Sequence, residues 1–402
     1  MGARIVVAGA SMGGLRAAEQ VRAAGWTGTV TVVGDEPHMP YNRPPLSKEV
    51  LAGRAPFASL AFTPKASAAD VEWRLGTTVA SARPADRVVV LEDGEELAFD
   101  GLVVATGMRP RRLRCAGPLA GRHTVRTIAD AQGLREELTR PGVRVVVVGA
   151  GFIGCEVAAT AVALGAAEVT VVDPLPLPMV GPLGDLLAGA LLRRHEERGV
   201  RFALGTGVSG FEGEDRVTGV VLDDATVVPA DVVVESVGSV ANTEWLDGNG
   251  LDLSDGVLTD EHLRVGGFPY VVAVGDVARF PNARYDGVPR RVEHWSIPTD
   301  TARHAAKALV AHLHGTDVDA APFAPLPTFW SDQHEFRLQS FGAPALGRDD
   351  TRVLDGDPDG DVLVGYHTGG RLVGVVALGG HAVASAAARY RAELLRQPAL
   401  TA

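Results

Sequence analysis

Cysteine is scarce in this 402-residue chain. Only Cys115 and Cys155 occur, and the shortage excludes several kinds of site. Two thiols cannot form a disulfide framework, so a reducing cytoplasm is the expected setting. They also fall short of the four thiolates that a plain iron–sulfur cluster needs. Because no histidine–cysteine pair has the spacing of zinc ligands, we predict no metal site.

Excess positive charge and long apolar runs are lacking as well. The chain has 38 lysines and arginines against 49 acidic residues, which argues against nucleic acid and membranes as partners. The N-terminus has no basic leader, and its apolar run is too short for a signal peptide. The most membrane-like stretch, residues 145–167, contains Glu156 and four glycines. A buried strand–turn–helix explains that stretch better than a membrane span.

An internal repeat is the most informative feature that the sequence does contain. The segment "RIVVAGASMGGLRAAEQVRAAGWTGTVTVVGD" ends at Asp35, and "RVVVVGAGFIGCEVAATAVALGAAEVTVVD" ends at Asp173. Each has the pattern of a strand, a glycine turn, a helix and a second strand that ends in an acid. The pattern predicts two dinucleotide-binding βαβ units in an α/β protein of two or three domains.

The glycine fingerprint is complete in the second unit and altered in the first. Gly149, Gly151 and Gly154 supply the tight turn, the close approach to the pyrophosphate and the helix–strand contact. The first unit has Gly9 and Gly14, with Ser11 at the middle position. A lone loop of this kind can be a turn without a ligand, but two copies in matching contexts favour binding. Serine is small and can donate to a phosphate oxygen, so we expect a slightly shifted pyrophosphate rather than a lost site.

An acid follows the second strand of each unit at a spacing that suits a ribose. Asp35 comes 26 residues after Gly9, and Asp173 comes 24 residues after Gly149. A carboxylate at Asp173 repels a 2′-phosphate, and the following "PLPLPMVG" offers no arginine to bind one. The sequence therefore favours NADH over NADPH, unless Asp173 is an incidental acid at a strand end.

Several further motifs give the chain a specific resemblance. With the paired fingerprints, it resembles the pyridine-nucleotide–disulfide oxidoreductase architecture. More narrowly, it resembles the FAD-dependent, NADH-linked ferredoxin reductases of bacterial oxygenase systems, the putidaredoxin reductase-like family. The motifs are "PYNRPPLSK" (residues 40–48), "LVVATGMRPRRL" (102–113), "YVVAVGDVARF" (270–280), "RVEHW" (291–295) and "FWSDQ" (329–333).

The resemblance implies two Rossmann-like domains of the glutathione reductase type and a small α+β C-terminal domain. The FAD-binding domain is expected in two pieces, residues 1–112 and 243–320. The NADH-binding domain is expected at residues 113–242 and the C-terminal domain at residues 321–402. In the last of these, "FRLQSFG", "DVLVGYHT" and "RLVGVVALG" are typical of antiparallel strands, and a helix is predicted at about residues 382–396.

The resemblance also implies which residues contact the cofactors. Lys48 is expected beside the flavin ring, Asp276 on the ribityl chain and Trp295 near the pyrimidine edge of the flavin. The implied FAD contacts are Gly9, Ser11, Gly14, Asp35, Arg43, Lys48, Val79, Arg126, Asp276 and Trp295. The implied NADH contacts are Gly149, Gly151, Gly154, Asp173 and Gly238.

Lys48, Glu156 and Trp330 are the implied catalytic residues. Glu156 resembles the acid that pairs with Lys48 near the nicotinamide, and a desolvated ammonium beside a flavin does need a counter-charge. Two alternatives remain, namely that Lys48 is a surface lysine and that Glu156 only interacts with a helix dipole. Trp330 is expected at the exposed edge of the flavin, the alternative being a core tryptophan.

The expected electron acceptor follows from what the family motifs lack here. Disulfide reductases of this architecture carry C-x4-C after the first glycine turn, where this chain has "PPLSKEVLAGR". Cys155 opens the second helix and is expected to be a small buried thiol, although a helix dipole could lower its pKa. Cys115 lies in the crossover and has no expected role. The resemblance therefore implies a separate, often acidic [2Fe–2S] ferredoxin as the acceptor.

We expect a cytoplasmic flavoenzyme that takes hydride from NADH and passes single electrons to this ferredoxin, which serves a haem monooxygenase or a Rieske dioxygenase. Arg290, Arg291 and Arg303 are candidates for steering the ferredoxin, or simply solvated charges. Two other functions remain open: an NADH-dependent small-molecule reductase or NADH oxidase, and an FAD-bearing signalling protein with slow turnover. His294 is expected to pack or to form a backbone hydrogen bond. The sequence does not fix the oligomeric state, and a monomer or weak homodimer is expected.

Overall fold

A computed structural model describes residues 2–318 and 321–397. In these residues the α-helices are α1 (Met12–Ala23), α2 (Ile128–Leu138), α3 (Phe152–Ala163), α4 (Val180–Glu196), α5 (Ile297–Leu313) and α6 (His381–Arg396). The strands of the first half are β1 (Arg4–Ala8), β2 (Thr29–Gly34), β3 (Glu72–Leu75), β4 (Val79–Arg83), β5 (Val88–Leu91), β6 (Glu96–Ala98), β7 (Gly101–Val104), β8 (Met108–Pro110), β9 (Arg122–His123), β10 (Arg144–Val148), β11 (Glu168–Asp173) and β12 (Val200–Leu204). Those of the second half are β13 (Val208–Glu212), β14 (Gly219–Leu222), β15 (Val227–Pro229), β16 (Val232–Glu235), β17 (Ser239–Ala241), β18 (Val257–Leu258), β19 (Arg264–Val265), β20 (Phe268–Ala273), β21 (Ala278–Phe280), β22 (Arg290–Arg291), β23 (Thr328–Gln333), β24 (Phe336–Gly342), β25 (Thr351–Gly356), β26 (Val362–Thr368) and β27 (Arg371–Gly379).

The first sheet has the strand order β19-β20-β7-β1-β2-β3. Strands β20, β7, β1, β2 and β3 are parallel, so residues 268–273 lie beside strands from the first 104 residues. The apolar side chains of β1 are fully buried, and α1 and α5 pack against each other at this sheet. Burial on both faces is typical of a parallel sheet that helices cover, and it accounts for the continuous valine-rich runs.

The second sheet repeats this arrangement with the order β12-β11-β10-β16-β9, all parallel. In both units a 12-residue helix begins four positions after the first strand ends, and the next strand pairs beside the first. The structure thus confirms the predicted repeat, including the strand–turn–helix at residues 145–167. Among the described residues, no helix is both long and apolar enough to span a membrane.

The third sheet is antiparallel, with the order β23-β24-β27-β26-β25. It includes the three strands predicted from sequence, and α6 packs on it, beginning one residue before the expected start. Helix α4 packs against this sheet through Leu183 and Leu187, and Tyr366 Oη donates to the Leu183 carbonyl at 2.8 Å. The C-terminal sheet is therefore fixed to the second βαβ unit.

Two short crossover strands connect the first βαβ unit with the second. Strands β8 and β17 pair antiparallel, with Pro110 opposite Ser239, so the chain leaves and re-enters the first unit at one place. The domain boundaries expected from sequence stay a prediction, and residue 320, the expected end of the FAD-binding domain, lies outside the described residues.

Candidate functional site

A cavity of about 910 Å³ lies where the three largest sheets meet. The first glycine loop, the turn around Lys48 and the start of α3 form part of its wall, and the aromatic residues after β22 and in β23 close it. Ten of the residues predicted from sequence as catalytic or as cofactor contacts line this cavity. They are Gly9, Ser11, Asp35, Arg43, Lys48, Arg126, Glu156, Asp276, Trp295 and Trp330.

The first glycine loop has room only for glycine at two positions. Gly9 has φ +117°, and a Cβ on it would lie 2.2 Å from the Ala105 carbonyl oxygen. A Cβ on Gly14 would lie 1.9 Å from the carbonyl oxygen of Gly9. Close contact between the loop, the adjacent strand and the helix therefore fixes the N-terminus of α1 against the cavity.

The second loop repeats these contacts. Gly149 has φ +106°, and its Cβ would lie 2.2 Å from the Ser236 carbonyl oxygen. A Cβ on Gly154 would lie 2.0 Å from the Gly149 carbonyl oxygen. Among the described residues, none lies within 4 Å of a Cβ placed on Gly151, so its face of the loop is open. An open loop at a helix N-terminus is suited to an anion, and NADH binding at this loop stays a prediction.

The middle position does not require the glycine conformation in either loop. Ser11 has φ −100° and ψ −163°, and Gly151 has φ −79° and ψ −175°, so both are extended N-cap residues. The backbone therefore gives no reason against serine. Ser11 Oγ lies 3.5 Å from Arg43 Nε, and Arg43 is anchored by the Arg126 carbonyl at 2.6 Å.

Two groups of opposite charge face the cavity. Burial and the neighbouring Arg43 lower the pKa of the Arg126 guanidinium, which donates to no protein acceptor within the described ranges. Burial raises the pKa of Asp276 to about 6, and the charge of Arg126 offsets part of that rise. A helix N-terminus, a free guanidinium and a glycine-only cradle together fit the diphosphate and polar chain of FAD.

The structure brings Lys48 and Glu156 together. Lys48 Nζ lies 2.8 Å from Glu156 Oε2, and both side chains are over nine-tenths buried. Lys48 also donates to the Pro44 carbonyl at 3.1 Å. Lys48 belongs to the turn that follows the first unit, whereas Glu156 belongs to α3 of the second. The surface-lysine reading is wrong, and a helix-dipole contact alone does not account for Glu156.

Two serines that were not predicted from the sequence donate hydrogen bonds to Glu156. Ser47 Oγ donates to Glu156 Oε2 and Ser331 Oγ to Glu156 Oε1, each at 2.6 Å. Thr160 Oγ1 donates to the Ser47 carbonyl at 2.8 Å and fixes the turn to α3. One sequence feature could have identified both serines: they lie inside the motifs "PPLSK" and "FWSDQ", directly next to Lys48 and Trp330.

Aromatic rings line the other end of the cavity. Trp295 and Trp330 meet with ring centroids 5.6 Å apart, and Trp295 Nε1 donates to Asn42 Oδ1 at 2.9 Å. His294 packs on Phe329 with centroids 5.1 Å apart, as the packing expectation required, but its Nδ1 has no partner among the described atoms. Burial lowers the pKa of His294 to about 4, so its ring is neutral at pH 7. Trp330 is half-buried in the cavity wall and is not a core tryptophan.

Other predicted residues lie outside the cavity. Asp173 caps the second glycine loop, where its carboxylate accepts from Ala150 N at 2.7 Å and Leu175 N at 2.8 Å. Gly238 has φ +93° in the turn after β16. Val79 packs against the core of the first unit and does not line the cavity.

The two cysteines lie away from the cavity lining. Burial raises the pKa of Cys155, and its Sγ contacts the Ala150 carbonyl at 3.7 Å. The expectation of a small buried thiol is thus confirmed, and a dipole-lowered pKa is wrong. Cys115 is half-buried beside the Val208 carbonyl.

The three candidate docking arginines differ in exposure. Arg290 pairs with Asp286 and Arg303 with Asp300, and both guanidinium groups stay substantially exposed. Arg291 is only 14% exposed, lines the cavity and pairs with Asp255 and Glu293. Its guanidinium is therefore part of the cavity wall rather than of an outer surface.

Comparison with known proteins gives consistent matches along the chain. Residues 3–302 match the family model "pyridine nucleotide-disulphide oxidoreductase", and residues 328–396 match "reductase C-terminal". The chain is 37% identical over 382 residues to putidaredoxin reductase CamA of Pseudomonas putida, covering 92% of this chain and 87% of that protein. It is 37% identical over 341 residues to the biphenyl dioxygenase system ferredoxin–NAD(+) reductase component of Paraburkholderia xenovorans, covering 84% and 80%. The crystal structure of the covalent putidaredoxin reductase–putidaredoxin complex matches with a TM-score of 0.88 at 33% identity, covering 97% and 93% of the two chains.

Proposed function

The chain belongs to the pyridine nucleotide-disulphide oxidoreductase family and has its reductase C-terminal domain, and from this we propose an NADH-dependent ferredoxin reductase that uses FAD. It takes hydride from NADH and delivers single electrons to a [2Fe–2S] ferredoxin. The ferredoxin in turn supplies an oxygenase, a haem monooxygenase or a Rieske dioxygenase. The names of relatives from such systems support this assignment.

The observation that carries the proposal is the buried contact between Lys48 and Glu156 across the two nucleotide units. It supports the proposal because the pair joins the two units at the wall of one cavity, between the first glycine loop and the start of α3. Both cysteines lie in the described part of the chain, and neither lines the cavity. Electrons that arrive here therefore leave without a protein disulfide.

FAD, when bound, accepts a hydride and releases two electrons one at a time. The protein contributes position and charge. The Lys48 ammonium holds positive charge at the cavity wall, where it favours added electrons, and Glu156 keeps that ammonium in one place. Arg126, Asp276 and the N-terminus of α1 hold the polar part of the cofactor.

The second glycine loop and Asp173 hold NADH. Asp173 is oriented by two backbone amides, and each of its oxygens retains a lone pair for a ribose hydroxyl. Trp330 and Trp295 line the side of the cavity by which electrons leave, and Arg290 and Arg303 attract an acidic ferredoxin. We place the protein in the cytoplasm, which suits its two unpaired thiols.

Cytochrome c reduction by NADH tests the proposal against its rivals. The FAD-loaded protein should reduce cytochrome c slowly alone and much faster when a [2Fe–2S] ferredoxin is added. Fast reduction of quinones or oxygen with no effect of ferredoxin would favour a small-molecule reductase. Slow bleaching by NADH with a long-lived charge-transfer band would favour a signalling flavoprotein.

A further inference from the structure

A line of buried hydrogen bonds extends from Glu156 away from the cavity. Ser331 Oγ lies 2.6 Å from Glu156 Oε1, and Gln333 Nε2 lies 2.9 Å from Ser331 Oγ. Gln333 Oε1 lies 2.7 Å from His195 Nε2, and His195 Nδ1 lies 3.3 Å from His334 Nε2. The line crosses from α3 through β23 to α4 and ends at the half-buried His334.

The inner members of this line are sealed from water. Ser331, Gln333 and His195 are at most 1% exposed. A buried polar group without a partner costs free energy, so each member depends on the next one along the line. The line also joins the second nucleotide unit to the C-terminal sheet, which contacts α4 both through apolar side chains and through hydrogen bonds such as that from Tyr366 to the Leu183 carbonyl.

In every hydrogen bond along the line, the donor is the residue farther from Glu156. An ionised Glu156 can only accept, so the Ser331 hydroxyl must donate to it. The lone pair of Ser331 then accepts from the Gln333 amide nitrogen, which turns the Gln333 carbonyl oxygen towards His195. His195 must present N–H at Nε2, and its bare Nδ1 accepts from His334.

The charges of the histidines agree with this direction. Burial is the main cause that lowers the pKa of His195; the hydrogen bond with Gln333 offsets part of this effect, and the nearby Arg198 lowers the pKa further. Burial, His195 and Arg198 lower the pKa of His334 to about 4, against a smaller opposite effect of Glu335. Both rings are therefore neutral near pH 7, as an accepting Nδ1 on His195 requires.

We propose that His195 is a positioning residue for the reaction centre, because it fixes the Gln333 amide and, through it, the Ser331 hydroxyl that holds Glu156 against Lys48. The role assigned to His195 rests on the proposed function, whereas the test below requires neither NADH oxidation nor ferredoxin reduction. Each hydrogen bond to Glu156 offsets part of its negative charge. Loss of one leaves more negative charge at the cavity wall and opposes the addition of electrons there.

The test uses the FAD-loaded full chain and a measurement that needs neither NADH nor ferredoxin. The midpoint potential of the bound FAD is measured by spectroelectrochemistry at pH 8 in Ser331→Ala and in Ser340→Ala. Ser340 is the matched control, because it is fully buried in the neighbouring strand and its hydroxyl has no partner in the part of the chain that the structure describes. Ser331→Ala should make the midpoint potential more negative, whereas Ser340→Ala should leave it at the wild-type value.

A second pair of variants tests His195 itself. His195→Gln keeps an amide nitrogen near the position of Nε2 and should retain the wild-type potential. His195→Phe keeps the ring volume without the donor, and its potential should shift in the same direction as that of Ser331→Ala. If His195→Phe does not fold, His195→Asn, whose amide nitrogen lies near the Nδ1 position, takes its place with the same expectation.

Equal potentials in Ser331→Ala and Ser340→Ala would overturn the proposal, and so would equal potentials in the two kinds of His195 variant. Wild-type ferredoxin reduction is measured separately. A wild type that fails to reduce ferredoxin would refute the proposed function while the potentials still decide the role of His195.

Discussion

The indole of Trp330 stands edge-on to that of Trp295, with 5.6 Å between ring centroids and 64° between ring planes. Trp330 belongs to the C-terminal sheet, and Trp295 lies just before α5 of the first unit. Trp295 is 39% exposed and both rings line the cavity, so the pair connects the cavity wall to solvent. The C-terminal sheet and the first unit thus jointly form this side of the cavity.

Replacement of Trp330 should affect the electron exit more than the entry. Trp330→Ala should slow ferredoxin reduction roughly tenfold and change flavin bleaching by NADH much less, because the ring packs the exit wall. Stopped-flow bleaching and steady-state ferredoxin reduction measure the two steps. Trp330→Phe, which keeps an aromatic ring, should reduce ferredoxin at a rate between those of wild type and Trp330→Ala. Equal slowing of both steps would remove the exit role.

Loss of the Lys48 ammonium should slow the entry of electrons. Lys48→Met removes the positive charge and leaves Glu156 buried without it, so bleaching by NADH should slow roughly 100-fold. Lys65→Met is the control, since Lys65 is largely exposed and does not line the cavity. Flavin bleaching at the wild-type rate in Lys48→Met would show that the Lys48–Glu156 pair has only a structural role.

The sequence predicted those parts of the site that local patterns specify. The strand Arg4–Ala8 and both glycine turns follow from periodicity and from backbone space at Gly9 and Gly149. The hydrogen bond between Ser331 and Glu156 joins residues 175 positions apart, and only the packing of β23 of the third sheet on α3 creates it. Arg291 was misjudged for the same reason, since burial depends on neighbours that are distant in sequence.

Asp173 should discriminate between the two nicotinamide cofactors. Asp173→Asn removes the charge but keeps an oxygen to accept one loop amide, so the kcat/KM ratio for NADH over NADPH should narrow roughly tenfold. Asp173→Ala should also weaken NADH binding, because both loop amides lose their acceptor. An unchanged ratio in Asp173→Asn would place the selectivity elsewhere.

Steering by surface arginines should depend on salt. The double variant Arg290→Glu and Arg303→Glu should raise the KM for ferredoxin several-fold at low ionic strength and little at high ionic strength. Charge reversal of Arg54 serves as a control at a position that does not line the cavity. An unaltered KM at low salt would show that these two arginines do not attract the partner.

Asp276 should make the FAD-free protein less stable as pH rises. Its pKa is about 6 in the fold against an ordinary 3.8, so the folded state holds the proton more tightly, and this advantage is lost as pH rises from about 4 to 6. At pH 8, Asp276→Asn should therefore unfold at a higher temperature than wild type, because its free energy of unfolding is larger by up to about 3 kcal/mol. At pH 4 the two proteins should differ little in stability. Thermal unfolding of the FAD-free pair at both pH values checks this. A difference of equal size at both would rule out titration of Asp276 as the cause.

Anaerobic titration of the FAD-loaded protein with NADH, followed by addition of oxidised [2Fe–2S] ferredoxin, tests the central claim most directly. The account predicts full bleaching by about one equivalent of NADH, then return of the yellow colour as about two equivalents of ferredoxin are reduced. A protein that takes up no FAD, or a bleached protein that leaves ferredoxin oxidised, would contradict it.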